Sequence, residues 1–170
     1  RCYLGDALYH ETIREYGERF KFNVVETQDL MRVVKDVTGE NLDWFFEQWV
    51  FLAGHPDFKV SKSWDRDTGV LQVTVEQTQK TGGLVPVFRV PVDIDVHWDG
   101  GQSTHSVLID QAKQTFYFQA PKEPVMVLFD KDDWILKTLD FPKSTRELLY
   151  ELKNAPYMAR IRAAEGLASK

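Results

Sequence analysis

Up to Pro56 the apolar residues recur every third or fourth position and beyond it every second position, so the chain passes from helix to strand at that proline. Leu4, Leu8, Ile13, Tyr16 and Phe20 outline a first helical stripe from Leu4 to Phe20. A second helix is better defined. Thr27 offers an N-cap hydroxyl, Asp29 puts a carboxylate in the first turn, and Leu30, Val33, Val34 and Val37 line one face before Gly39 ends it. A third begins after the cap residue Asn41, carries Leu42, Phe45, Phe46, Trp49 and Ala53 on one side, and stops at Gly54.

In the next stretch Leu71, Val73 and Val75 alternate with polar residues, as do Val90, Val92, Ile94, Val96 and Trp98, the pattern of half-buried strands. Turns fall at Asp67-Thr68-Gly69, Gly82-Gly83 and Asp99-Gly100-Gly101, the last a hairpin signal before a strand from Gln102 to Ile109. Further strands are expected at Thr115 to Gln119, Val125 to Phe129 and Trp134 to Phe141. About seven strands without intervening helices predict an antiparallel β-sandwich. After Pro142, Ser144 with Glu147 three residues on forms a capping box for a helix ending near Asn154. Pro156 then suits the first turn of a last helix, whose apolar face is Met158, Ile161, Ala164, Leu167 and Ala168. The predicted fold class is α+β: N-terminal helices, the sandwich, and C-terminal helices.

Of 170 residues 43% are apolar, enough for a sizeable core, and the 26 acidic and 21 basic residues are dispersed. No lysine or arginine block could follow a phosphate backbone, which argues against a nucleic-acid partner. No apolar run reaches the roughly 18 residues of a membrane span. The single cysteine, Cys2, gives neither an intrachain disulfide nor a thiolate zinc cluster, and suits a reducing or an oxidising compartment alike.

His10-Glu11 begins like H-E-x-x-H, but Arg14 stands where the second histidine would be, and a guanidinium cannot ligate zinc. His97 should share an outward strand face with Asp93 and Asp95, with His105 across the hairpin. No spacing there specifies a metal, and a solvated acidic face is the expected reading. His55, before Pro56, reads as a turn residue. Ser103, Ser106 and Ser144 lack a glycine elbow and a histidine at a recognisable spacing. The paired glycines are not followed by a helix, as a phosphate loop requires. Trp44, Phe45, Phe46, Trp49 and Phe51 are spaced as a helix core rather than a ligand cage. Catalytic, cofactor-binding and metal-ligating residues are thus expected to be absent from this chain.

Leu4-Gly5-Asp6-Ala7-Leu8 with Tyr16 and Phe20, then Thr27-Gln28-Asp29-Leu30, Gly39-Glu40-Asn41-Leu42-Asp43-Trp44-Phe45-Phe46-Glu47-Gln48-Trp49 and Gly54-His55-Pro56, resemble the end of the catalytic domain of M1 zinc aminopeptidases in order and spacing. Val70 to Gln79 and Val85 to Val92 look like the opening of the small sandwich that follows in that family. Arg160-Ile161-Arg162-Ala163-Ala164-Glu165-Gly166-Leu167 is similar to a HEAT-type helix.

The resemblance implies an internal segment of a larger enzyme. Residues 1–56 would close the catalytic domain, 57–142 form the sandwich domain and 143–170 open a HEAT-like helical domain. It further implies peptide substrates and a Zn2+ cofactor for the parent. The zinc motif, the amine-binding strand and the transition-state tyrosine would all lie before Arg1, leaving this chain inactive and metal-free. The missing domains would dock on the terminal helices, whose bare faces could also dimerise. Two alternatives stay open: a catalytically dead M1-like scaffold, and an independent sandwich that binds protein or carbohydrate.

Overall fold

The computed structural model describes residues 1, 3–80 and 85–169. Cys2 and the Gly82-Gly83 turn lie outside the described residues. The chain divides into two compact units, Arg1–Gly54 and His55–Lys170.

The first unit is helical. Helix α1 spans Gly5–Phe20 and α2 spans Thr27–Thr38. The short α3, Asp43–Phe46, runs straight into a π-helical turn, Glu47–Phe51. Helix α2 lies as its pattern predicts, with Val33 and Val34 buried. Its start differs slightly: Thr27 is the first helical residue, while Glu26 and Asp29 form a reciprocal capping box, and Gly39 ends the helix in the left-handed conformation. Val34, Leu42 and Phe46 form the core, with Tyr3, Leu4, Leu30, Met31, Trp44 and Phe45 packed around them. Trp44, Phe45 and Phe46 of the aromatic run are therefore core, as their spacing predicts, whereas Phe51 is exposed. The α1 stripe is rotated from expectation: Leu8 and Ile13 are exposed, whereas Thr12 is buried and returns its hydroxyl to the Leu8 carbonyl at 2.7 Å.

The second unit holds two sheets. One has the order β5-β2-β1-β7, from β1 (Asp57–Asp65), β2 (Val70–Gln77), β5 (Lys113–Gln119) and β7 (Thr138–Asp140). The other is β4-β3-β6, from β3 (Val90–Trp98), β4 (Gly101–Ile109) and β6 (Met126–Phe129). The period-two residues Leu71, Val73, Val75, Val90, Val92, Ile94 and Val96 are buried. Phe58 of β1 meets Phe129 of β6 edge to face at 5.2 Å between centroids, and His105 of β4 stacks on Phe118 of β5 at 4.3 Å, so side chains of the two sheets meet face to face. Gly101 closes the β3–β4 hairpin under the Trp98 indole, where an added Cβ would come within 2.8 Å of Nε1.

Two strand expectations need correction. The sheets are antiparallel except for β1 and β7, which pair in parallel. The segment expected as a strand from Trp134 is strand only over Thr138–Asp140, because the Asp130 carboxylate takes the Trp134 and Ile135 N–H groups at 3.1 Å each and turns residues 130–137 into a loop.

Helices α4 (Thr145–Asn154) and α5 (Tyr157–Ala168) follow. Met126 and Leu128, on the outer face of β6, cluster with Ala155 and Ala159. The buried side of α5 is thus Ala159 and Ala163, and Met158 and Ile161 of the predicted face are exposed. Small residues let the helix approach the sheet closely, and small residues weigh little in an apolar-stripe reading.

Candidate functional site

The histidines do not assemble. His10, Glu11 and Arg14 are all exposed on α1. His97 shares the outer face of β3 with Asp93 and Asp95, but Asp95 is not solvated as expected. It is buried, with Oδ2 3.6 Å from the Lys131 ammonium and Oδ1 without a hydrogen-bond partner among the described residues. Burial holds the His97 imidazole below its usual pKa, against the pull of Asp95. His105 pairs in register with Ile94 and stacks on Phe118, so it faces the interior. The two histidines therefore lie on opposite faces of one sheet and cannot share a cation. His55 Nε2 lies 3.1 Å from the Thr138 hydroxyl and 3.5 Å from Asp57, consistent with a turn residue.

One pairing escaped the sequence reading. Ser103 Oγ lies 2.9 Å from His105 Nε2. The two residues stand two apart on one face of a regular strand. Among the described residues, no three His, Cys, Asp or Glu side chains gather as a metal would require.

Charge converges instead where the sandwich meets α4. Lys62 of β1 pairs with Glu147 of α4, and Lys143, just before the helix, pairs with Glu151 one turn further along. The Phe141 ring receives both ammonium groups, Lys143 at 4.9 Å and Lys62 at 5.6 Å from its centroid. Glu147 also accepts the buried Val127 N–H at 3.1 Å, so one carboxylate ties β1, β6 and α4 together. That explains why the predicted capping box is half made. Ser144 accepts the Glu147 N–H at 3.2 Å, while the Glu147 side chain turns inward. Burial drives the Lys143 pKa down and the Glu151 pKa up, each partly opposed by its partner.

A second knot holds the loop before β7. Lys137 meets Asp130 and, at 2.7 Å, Asp133, which also pairs with Arg162 of α5. Burial raises the Asp133 pKa, but hydrogen bonds from Lys137 and Arg162 outweigh it and hold the carboxyl below its usual range. Two clefts flank the junction. One of about 620 Å3 includes Phe141, Lys143, Glu151 and Arg162, and one of about 590 Å3 includes Lys62, Lys122, Arg146 and Glu147. Their buried charges are matched in opposite-sign pairs, which fixes the geometry of the junction.

This architecture, a helical unit followed by a two-sheet unit with α4 and α5 on its outer face, is that of a segment found within aminopeptidases. No protein-family model matches the chain. Puromycin-sensitive aminopeptidase of Caenorhabditis elegans is 26% identical over 126 residues, which are 71% of this chain and 13% of that protein. Transcription initiation factor TFIID subunit 2 of the same organism is 28% identical over 86 residues, 51% of this chain and 8% of that one. Legionella pneumophila aminopeptidase A, crystallised with aspartic acid, shares the fold with a TM-score of 0.80 over 96% of this chain and 19% of its own, at 16% identity. The chain thus spans less than a fifth of each of these proteins. The resemblance to aminopeptidases read from the sequence stands, and the M1 family is consistent with it. Among the described residues no helix is long and apolar enough to cross a membrane.

Proposed function

We propose that this chain is a non-catalytic internal segment of an M1-type zinc aminopeptidase that removes N-terminal residues from peptides, with the zinc ligands supplied by sequence preceding Arg1. The observation that carries this reading is the similarity to puromycin-sensitive aminopeptidase along 71% of the chain. In this reading residues 1–56 complete the catalytic domain, 57–142 are the connecting sandwich and 143–170 begin the C-terminal helical domain. Exposed apolar residues on the helices, among them Leu8, Ile13, Leu149 and Ile161, are where the rest of the parent packs.

The similarity to the TFIID subunit supports a second reading, a relative that keeps the architecture without the chemistry. The coding sequence upstream of Arg1 separates the two. An H-E-x-x-H motif with a downstream glutamate and tyrosine is expected; an open frame in which those ligands are replaced overturns the enzymatic reading. The purified chain should hold zinc well below one equivalent by elemental analysis and release no chromophore from aminoacyl substrates. Tight one-to-one zinc would overturn the assignment of the ligands to another segment.

A further inference from the structure

The two sheets have four edges, β5 and β7 in one and β4 and β6 in the other. Sheet edges offer unpaired N–H and C=O groups to any passing strand, and proteins blunt them by shortness, charge or cover. Two of the four are blunted and a third carries a charge at one end. β7 is three residues long, β5 opens on Lys113, and β6 gives its Val127 N–H to Glu147 of the helix beside it. Among the described residues β4 is covered only at its Leu108 end, by the Gln114 amide. It is nine residues long and contains no Lys, Arg, Asp, Glu or Pro.

Its hydrogen-bonding phase follows from the register. Trp98 pairs with Gly101 across a two-residue turn, which makes them a hydrogen-bonded pair, and Pro91, which has no N–H, lies opposite Leu108. Odd-numbered residues of β4 therefore bond β3, and Gln102, Thr104, Ser106 and Leu108 turn their backbone groups outward. The Leu108 carbonyl receives the Gln114 side chain at 3.2 Å. For Gln102, Thr104 and Ser106 no backbone partner across this edge exists among the described residues.

We propose that β4 pairs antiparallel with β4 of a second copy of this chain about a twofold axis at His105, joining the two three-stranded sheets into one. A twofold on an odd residue sets outward-facing positions opposite each other, as an antiparallel ladder requires. Thr104 then faces the second copy's Ser106, Gln102 faces Leu108, and the strand overlaps along its full length. Thr–Ser pairs on one face are favourable, and no like charges meet across the axis because the strand carries none. An isologous contact of this kind closes at two copies rather than propagating. The interface lies at the sandwich edge and owes nothing to the apolar helix faces.

Sedimentation equilibrium of the chain and of two variants tests this. Thr104→Pro removes an N–H that β3 does not use and that an incoming strand needs, a position where an edge strand tolerates proline. Thr104→Val keeps that N–H. The native chain and Thr104→Val are expected to dimerise with matching constants, and Thr104→Pro to associate at least tenfold more weakly. Amide exchange on the native protein gives an independent check: the Thr104 and Ser106 amides should slow as concentration rises. A native chain that stays monomeric, amides that do not respond to concentration, or a folded Thr104→Pro variant that dimerises as well as the native would overturn the proposal.

Discussion

In the helical unit Leu8, Ile13, Val50 and Phe51 are between a third and a half exposed, whereas in the sandwich unit the side chains of Lys137, Asp130, Glu147 and Glu151 are less than a tenth exposed. Both units leave apolar side chains in water, Trp134 and Leu136 of the second among them, but among the described residues the ion pairs taken out of water lie in the second. A sandwich with a large apolar interior can carry buried ions, provided each is paired, because removing one partner leaves the other stranded. The helical unit has a small core around Val34, Leu42 and Phe46 and no surplus of that kind. What the contrast teaches is where each unit is vulnerable: the sandwich at a few polar atoms, the helices hardly at all along their outer faces.

The largest expected effect comes from breaking the sandwich at Glu147. Glu147→Ala strands Lys62 and leaves the Val127 N–H without its acceptor, a loss on the order of 3–5 kcal/mol in urea denaturation. Glu147→Gln retains an acceptor for that N–H and should cost less than Glu147→Ala. Equal costs for the two would mean that the Val127 bond contributes little.

A smaller effect of opposite sign is expected at Lys143 and Glu151. Burial raises the Glu151 pKa in the folded state, so its contribution is full below the ordinary carboxyl value of about 4.3 and is lost as pH rises through the raised value. Burial depresses Lys143, so its contribution is full above about 10.4 and is lost as pH falls through the lowered value. Between those limits neither group favours folding by its protonation. Lys143→Met with Glu151→Leu is therefore expected to be neutral or stabilising by about 1–4 kcal/mol near pH 7. Its advantage over the native chain should shrink toward either extreme of pH. A double variant that is clearly less stable at pH 7 would show that the pair outweighs its desolvation.

The fold class, strands β2 to β6 and the α2 face were legible in the sequence because each rests on a repeating pattern of large apolar side chains, whereas β1 at Asp57–Asp65 was not read as a strand and β7 was read too long. Where inward positions are small or polar the pattern misleads: Thr12 on α1 and Ala159 and Ala163 on α5 lie inward, while the larger Ile13 and Ile161 lie outward. The ionic junction was illegible for a different reason. Lys62 and Glu147 are far apart along the chain, and Lys143, Glu147 and Glu151 repeat at four-residue spacing, which on a helix reads as a solvated face. Glu147 even satisfied a local rule, the capping box, that tertiary contacts then overrode. The candidate metal residues were correctly placed on strands and helices, but only three-dimensional register shows that His97 and His105 point to opposite sides.

The smallest expected effect is the one that sharpens the contrast between the units. Leu8→Ser and Ile13→Ser remove apolar side chains already facing water on α1, so each should change the stability of the isolated chain by no more than about 0.5 kcal/mol. Their surroundings on α1 include His10, Glu11 and Arg14, all exposed, so a serine there meets water and leaves no cavity. Urea denaturation followed by far-ultraviolet circular dichroism reads this directly. A loss well above about 1 kcal/mol for either variant would mean that the α1 face is covered in solution and that the helical unit hides its apolar surface after all.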